Sequence, residues 1–200
     1  MVDLGVTVSS DLKPSSHCLR VAAKANKVLG CIRLAFRFLD ASTLVILYKA
    51  LVLPLLDYCS VAWSPLYVKD IEVLEKVQRR MTRILPGLRH LSYLDRLRSL
   101  GLTTLYTRRL RQDMIFVYKI THGLVALDVS KFFVRAHDSR TRGHVMKLHT
   151  GYSRLLLRRG TFSQRIVSLW NSLPRNCVDA PSLAIFKSSL ALYFEKNGFT

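Results

Sequence analysis

The residues that could perform catalysis are too dispersed along this chain to form a catalytic motif. Two-metal phosphoryl transfer needs clustered carboxylates, and the 13 Asp and Glu residues are scattered with no two adjacent. The closest approach to an aromatic-x-Asp-Asp polymerase motif is Tyr93-Leu94-Asp95-Arg96, in which an Arg replaces the second acid. That segment also has the pattern of a helix rather than of a hairpin. The sequence therefore predicts no catalytic residue in this chain.

Metal and cofactor sites are equally weakly indicated. His144 and His149 are five residues apart with no Cys nearby, whereas a zinc site needs three or four convergent ligands. The four cysteines show no CxxC spacing, and the nine glycines form neither a GxGxxG nor a GxxxxGK[ST] loop. We therefore expect no metal site and no cofactor in this chain.

Cationic residues carry the clearest functional signal in the sequence. The chain of 200 residues has 31 Lys and Arg against 13 Asp and Glu, a net charge of +18, which indicates an anionic partner. Two stretches concentrate the charge: residues 76–119 have a net charge of +9 and residues 129–165 a net charge of +8. Because 20 of the 31 cations are Arg, which binds phosphate through two hydrogen bonds at once, nucleic acid is the leading candidate.

The elements that must position these cations are predicted to be mainly helical. Apolar residues recur at helical spacing, and start and stop signals bound most of the helices. Asp40 and Ser42 can cap a helix, and Pro54 is expected to kink or end it. The predicted helices are 14–38, 43–53, 55–63, 70–85, 92–99, 103–122, 161–173 and 183–195. The predicted strands are a lone N-terminal strand, 2–9, and two short ones in the C-terminal half, 145–149 and 154–158; residues 135–144 are predicted to be a loop.

One apolar stretch, residues 44–63, is long enough to span a bilayer. Lys49, Asp57 and a central Pro54 interrupt it, and each charge would cost about 2.5–3.5 kcal/mol at mid-membrane. A buried, proline-kinked pair of helices is therefore the favoured interpretation.

Eight ordered motifs resemble the C-terminal part of the reverse transcriptase of non-LTR (LINE-type) retrotransposons, particularly those of the CR1 and Jockey groups. The resemblance extends over residues 2–195, and its strength lies in the order of the motifs, since each one alone is weak. The motifs are LGVTVSSDL (4–12), KANKVLGCIRLAF (24–36), YKALVLPLLDYCSVAWSP (48–65), VLEKVQRRMTRIL (73–85), LGLTTLYTRRLRQDMIFVYKITHG (100–123), RTRGH (140–144), FSQRIVSLWNSLP (162–174) and SLAIFKSSL (182–190).

The resemblance implies a division of the chain into three parts. Residues 1–12 resemble the edge strand of a polymerase palm, residues 13–123 a helical thumb-like bundle, and residues 124–200 the basic linker region with its C-terminal helices. The parent enzymes perform RNA-directed DNA polymerisation primed from nicked target DNA. This chain has no counterpart of the fingers or of the palm with its paired aspartates, so Mg²⁺ would belong to that missing part and the chain alone is expected not to be an enzyme.

The expected role is therefore contact with the backbone of a primer–template duplex or of template RNA. The expected partners are RNA and an RNA–DNA or DNA duplex, with a palm and fingers segment of the parent enzyme as a further partner, but no membrane and no small-molecule substrate. The main predicted phosphate contacts are Lys24, Lys27, Arg79, Arg80 and Arg83. The secondary ones are Arg108, Arg109, Arg140, Arg142, Arg158 and Arg159.

Three alternatives remain open from the sequence. The basic surface could bind an acidic protein, so that the chain is a protein-interaction module. Residues 44–63 could bind a membrane surface. The chain could also be the non-functional remnant of a transposable element.

Overall fold

The computed structural model describes residues 1–36, 38–136 and 143–199. The fold is mainly α-helical, and its β-strands within these residues are confined to the N-terminus. The chain divides into two compact units, Met1–Arg109 and Leu110–Thr200, called here the first and second units. This division lies inside a helix, whereas the sequence placed the boundary at the glycine that follows that helix, Gly123.

The N-terminal β structure is a hairpin rather than one continuous strand over 2–9. Strand β1 (Val2–Asp3) pairs antiparallel with β2 (Val6–Thr7). The chain reverses at Leu4 and Gly5, which both have positive φ angles, 42° and 84°; glycine adopts this conformation without steric cost. The alternation of apolar residues was compatible with either arrangement, and the turn at Gly5 decides between them.

Two long helices form the frame of the first unit. Helix α1 (Ser15–Ala35) falls within the predicted helix 14–38. Helix α5 (Val68–Thr82) overlaps the predicted helix 70–85 and begins two residues earlier. Ser15 Oγ donates to Asp70 at 2.6 Å, and Arg80 donates to Asn26 at 3.1 Å. The two contacts join residues 55 and 54 positions apart. Because this separation is nearly constant along both helices, they run in the same direction.

Between these helices, the segment that contains Pro54 stays helical, so the helix does not end at this residue. Helix α2 (Ala41–Leu47) begins at Asp40, whose carboxylate accepts from the Ser42 and Thr43 N–H groups as expected. A π-helical turn (Tyr48–Val52) then leads into α3 (Leu53–Asp57). The wider turn tolerates Pro54, which lacks an N–H group, near the start of α3.

The wider turn also explains the spacing of the buried residues in this segment. Leu44, Tyr48, Val52 and Leu56 are four residues apart, and all four are 0% exposed. In a regular α-helix, each step of four residues rotates the direction of the side chain by about 40° around the axis. After three such steps the last side chain would point away from the core. The π-helical turn keeps all four on one face.

The remaining elements of the first unit are short. Helix α4 (Ser60–Trp63) follows a left-handed Cys59, a 3₁₀ turn covers Pro86–Leu88, and α6 (Tyr93–Ser99) matches the predicted helix 92–99. Helix α7 (Leu105–Thr121) matches the predicted helix 103–122 and contains the division between the units. The core of the first unit is built around Leu29, Tyr48, Leu74, Met81 and Leu105.

The second unit has its own core, built around Tyr118, Trp170, Phe186 and Leu190. Its elements after α7 are a 3₁₀ turn (Val129–Lys131), α8 (Leu156–Gly160), α9 (Phe162–Arg165), α10 (Val167–Asn171), α11 (Arg175–Val178) and α12 (Leu183–Lys196). The predicted helix 161–173 is thus divided into α9 and α10, and 183–195 is confirmed, with Ser182 accepting from the Ile185 N–H group.

The two strands predicted in the C-terminal half are not formed. Residues 145–149 contribute one isolated bridge, Arg135 with Leu148. Their backbone is also bonded by side chains of α10: Trp170 Nε1 donates to Met146 O at 2.8 Å, and the Asn171 amide bonds both the N–H and the C=O of Leu148. The predicted strand 154–158 overlaps helix α8, and no neighbouring strand among the described residues is available to pair with it.

Candidate nucleic-acid interface

A row of four cations lies along the outer face of α5. Lys76, Arg79, Arg80 and Arg83 follow the spacing i, i+3, i+4 and i+7, which places them on one face of a helix. The opposite face packs into the core through fully buried residues such as Leu74, Val77 and Met81. Burial of that apolar face fixes the direction in which the cationic row points.

The row forms one wall of a concave site. Arg33 near the end of α1 and Arg89 just after the 3₁₀ turn complete a cavity of about 500 Å³. Its lining residues are Arg33, Lys76, Arg79, Arg80, Arg83, Ile84 and Arg89. We call this site the arginine cavity. Of the seven described residues that line it, six are cationic and none is acidic.

Several of these side chains are held in place by neighbouring groups. Arg80 donates to Asn26 of α1 at 3.1 Å, and Arg89 Nε donates to the carbonyl oxygen of Arg83 at 3.1 Å. Arg79 donates to Glu72 at 3.2 Å and lies over the Tyr93 ring at 4.9 Å from its centroid. Side chains that are already ordered lose less entropy when a ligand binds.

The positive charge in and behind the cavity is only partly neutralised. Like charges at i, i+4 on a helix destabilise it by about 0.2–0.5 kcal/mol per pair, and Lys76–Arg80 and Arg79–Arg83 are two such pairs. Behind the cavity, Arg96 is 3% exposed. Its burial and, as a smaller effect, the positive charge of Arg83 lower its pKa. Binding of an anion would relieve this repulsion.

A second cavity of about 540 Å³ shares Arg79 with the arginine cavity. We call it the tyrosine cavity; its apolar lining is Ile71, Tyr93, Leu94 and Tyr106, and its polar lining includes Glu72 and Thr104. Helix α7 begins at its wall, where Thr104 Oγ1 accepts from the Thr107 N–H group at 3.1 Å.

Three of the main predicted phosphate contacts are brought together: Arg79, Arg80 and Arg83 all line the arginine cavity. Lys24 and Lys27 are exposed on α1 but do not line it. Asn26 and Arg33 lie on the side of α1 that faces α5. Because successive residues of an α-helix are rotated by about 100°, Lys24 and Lys27 lie on other sides of the helix.

The predicted pair on α7 occupies different environments. Arg108 forms an ion pair with Asp57, and its side chain is 43% exposed. Arg109 is 2% exposed, so the prediction that its guanidinium contacts phosphate is wrong for this fold. Arg109 is four residues after the fully buried Leu105 and shares its side of the helix.

The remaining secondary predictions belong to the second unit. Arg158 and Arg159 are exposed on α8, and Arg159 Nε donates to the Ser153 carbonyl oxygen at 3.0 Å. Arg140 and Arg142 lie outside the described residues.

Sequence reasoning missed three cations of the arginine cavity. Lys76 could have been added from its spacing alone, since it is three residues before Arg79 and shares its face of the helix. Arg33 and Arg89 carried no such signal, because only the packing of α1 on α5 and the turn after Leu85 bring them to the cavity.

Residues that could hold a metal are not grouped in this structure. In the described part of the chain, no three His, Cys, Asp or Glu side chains lie close enough together to hold a metal ion. His144, one of the two histidines considered from the sequence, is 3% exposed and lies 3.1 Å from the Trp170 carbonyl oxygen through Nε2. Within the same residues, no helix has the length and apolar character needed to cross a membrane.

The chain was compared with protein-family models, with curated proteins and with solved structures. None of them matches it.

Proposed function

We propose that this chain binds the sugar–phosphate backbone of nucleic acid as the thumb and linker portion of a retrotransposon reverse transcriptase without its catalytic palm. The observation that carries the proposal is the arginine cavity, where six cations from three segments converge and none of the described lining residues is acidic. The ordered motifs that resemble non-LTR reverse transcriptases support the same role.

The geometry favours backbone contact rather than recognition of base sequence. Arg guanidinium groups bind phosphate oxygens through paired hydrogen bonds, and backbone contacts set position without reading bases. The row from Lys76 to Arg83, the residue that caps the end of α5, covers eight residues, or about 10 Å along the helix axis. This length is sufficient for consecutive phosphates of one strand. Template RNA and a primer–template duplex both present such a row.

The dependence of binding on salt tests this role. The affinity of the full chain for an RNA–DNA duplex is measured by fluorescence anisotropy between about 50 and 200 mM salt. Each phosphate neutralised contributes about −0.9 to the slope of log K against log salt, so six cations predict a slope near −5 or steeper. A slope near zero would overturn the proposal.

A charge-matched pair of variants assigns the slope to the cavity. Arg80→Gln/Arg83→Gln should reduce its magnitude by about 1.8, the contribution of two phosphates. Arg98→Gln/Arg175→Gln removes the same net charge from exposed sites that do not line the cavity and should leave the slope unchanged. An equal reduction in both variants would mean that the chain responds to net charge alone, contrary to the proposal.

Lys24→Gln/Lys27→Gln tests the part of the prediction that lies outside the cavity. If α1 contacts phosphate as predicted from the sequence, this variant also reduces the slope by about 1.8. An unchanged slope would confine the interface to the arginine cavity and refute the predicted roles of Lys24 and Lys27.

The proposed lack of polymerase activity has a separate test. The purified full chain, incubated with a primed RNA template, Mg²⁺ and deoxynucleotides, should give no primer extension. Extension that persists after further purification would contradict the assignment of catalysis to a missing palm.

A further inference from the structure

The two cavities that share Arg79 differ sharply in chemical character. The described lining of the arginine cavity consists of cations and one Ile side chain. The tyrosine cavity combines two aromatic rings with aliphatic side chains and includes two carboxylates, those of Glu72 and Glu75. Phosphate is favoured in the first cavity and disfavoured in the second, where it would meet like charge.

Arg79 is the residue at which the two environments meet. Its terminal nitrogen donates to Glu72 on the side of the tyrosine cavity, and its guanidinium lies over the Tyr93 ring. Its Nε is buried and has no hydrogen-bond partner among the described residues. Because Arg79 lines both cavities, a ligand that spans them would lie against this side chain.

The tyrosine cavity has the features of a site for a flat, polar ring. Tyr106 is 46% exposed, so its ring is available for stacking, while the Tyr93 hydroxyl is already used in bonds to Glu75 and Gln78. Unstacked bases bind proteins by stacking on aromatic side chains and by hydrogen bonds at their edges. Glu72 and Thr104 also line this cavity and supply acceptors for base or ribose donors.

We infer that the paired cavities bind one nucleoside 5′-phosphate, with the phosphate in the arginine cavity and the base against Tyr106 in the tyrosine cavity. Each cavity lies within the range of about 300–1,000 Å³ typical of small-ligand sites. The inference rests on the proposed nucleic-acid binding and extends it from backbone contact to capture of a single nucleotide. That nucleotide is presented by the 5′ end of a strand or is free.

The 5′ group of a single-stranded RNA provides the first test. Strands of one sequence with a 5′-hydroxyl, a 5′-monophosphate or a 5′-triphosphate are titrated against the full chain at about 0.15 M salt. We expect the phosphorylated strands to bind at least tenfold more tightly than the hydroxyl strand. Equal affinities would overturn the inference, and a steep salt slope retained in that case would leave the proposed function standing. Loss of both the preference and the salt slope would refute both.

Two aromatic variants separate stacking from charge. Tyr106→Ala should weaken binding of the 5′-phosphorylated strand by about fivefold or more, the lower end of what one aromatic–base stack contributes, with an unchanged salt slope. Tyr152→Ala removes an aromatic ring that is 88% exposed in the second unit and should have no effect. An equal effect of both variants, or none from Tyr106→Ala, would refute the role of the tyrosine cavity. Unfolding curves of both variants confirm that each remains folded.

Competition with small anions identifies the source of the nucleotide. Displacement of the strand by ATP, with inorganic triphosphate at least fivefold weaker, would assign the site to free nucleotides as well as strand ends. Preference for the phosphorylated strand with no competition by ATP would assign it to strand ends alone. Competition by inorganic triphosphate as strong as that by ATP would show a phosphate site without nucleoside recognition and would refute the inference.

Discussion

Glu75 of α5 provides the sharpest test of how the first unit is held together. This residue is 4% exposed, and its carboxylate accepts from the Leu105 N–H group at 3.1 Å and from the Tyr93 hydroxyl. It thus joins α5 to the first turn of α7 and to α6. The replacement Glu75→Gln keeps the size of the side chain and removes its charge.

The expected loss can be worked out from these two bonds. A hydrogen bond to a charged group contributes about 1.5–3 kcal/mol and one between neutral groups about 0.5–1.5 kcal/mol. Removing the charge therefore weakens each bond by about 1 kcal/mol. For the two bonds together, we expect the free energy of unfolding to fall by about 2 kcal/mol.

Glu72 supplies a matched control on the same helix. Its side chain is 39% exposed and pairs with Arg79 at 3.2 Å, and exposed pairs of this kind contribute about 0–1 kcal/mol. Glu72→Gln should therefore cost less than about 1 kcal/mol. The two substitutions are chemically identical and one turn apart, so burial and bonding are the main differences between them.

Urea unfolding followed by fluorescence measures both effects. The two tryptophans lie in different units, Trp63 in the first and Trp170 in the second, so a Trp170→Phe background lets Trp63 report on the first unit. Both Glu variants are compared in that background. Equal costs for Glu75→Gln and Glu72→Gln would refute the reasoning that the buried carboxylate joins α5 to α6 and α7.

Three further predictions concern the N-terminal hairpin and the cysteines. Thr7 N–H donates to His17 Nδ1 at 3.0 Å, which requires a neutral ring, and burial lowers the pKa of His17 below its ordinary 6.5. The protection factor of the Thr7 amide against hydrogen exchange should therefore fall once the pH drops below about 6.5, and a pH-independent protection factor would contradict this. Gly5→Ala should destabilise the hairpin by about 1 kcal/mol, because alanine is strained at the φ of 84° that Gly5 adopts. NMR should show this as a loss of cross-strand contacts between Val2 and Thr7, and an unchanged hairpin would contradict the prediction. Burial raises the pKa of Cys18 to about 12 and that of Cys177 to about 11. At pH 8, only the exposed Cys31 and Cys59 should therefore react rapidly with a thiol reagent. Rapid modification of all four cysteines would count against the packing described.

Local patterns predicted the long helices well because apolar periodicity and capping residues act within one element. The Asp40 and Ser182 caps and the amphipathic faces of α1 and α5 followed directly from the sequence. Pro54 was predicted to kink or end its helix, and the helix does not end there because a π-helical turn accommodates proline inside the helical segment. A strand predicted from an apolar run, such as 154–158, also needs a partner that single-sequence patterns do not reveal.

The candidate site was predictable only in part for a related reason. Arg79, Arg80 and Arg83 share one helix face, so their spacing alone brings them together. The contributions of Arg33 and Arg89 depend on contacts across long sequence separations. The burial of Arg109 depends equally on tertiary packing, since a charged residue in a basic stretch ordinarily remains in solvent.

The parallel packing of α1 against α5 affects how this chain can fold during its synthesis. The contacts between the two helices join residues about 54 positions apart, so α1 emerges from the ribosome well before its partner exists. At about 5–20 residues per second, the 47 residues from the end of α1 to the end of α5 take roughly 2–10 s to add. The π-helical turn and α3 also pack on α1 and are made earlier, so the part of α1 that contacts α5 is the part that stays uncovered for the whole interval. A nascent-chain chaperone would have its longest opportunity there.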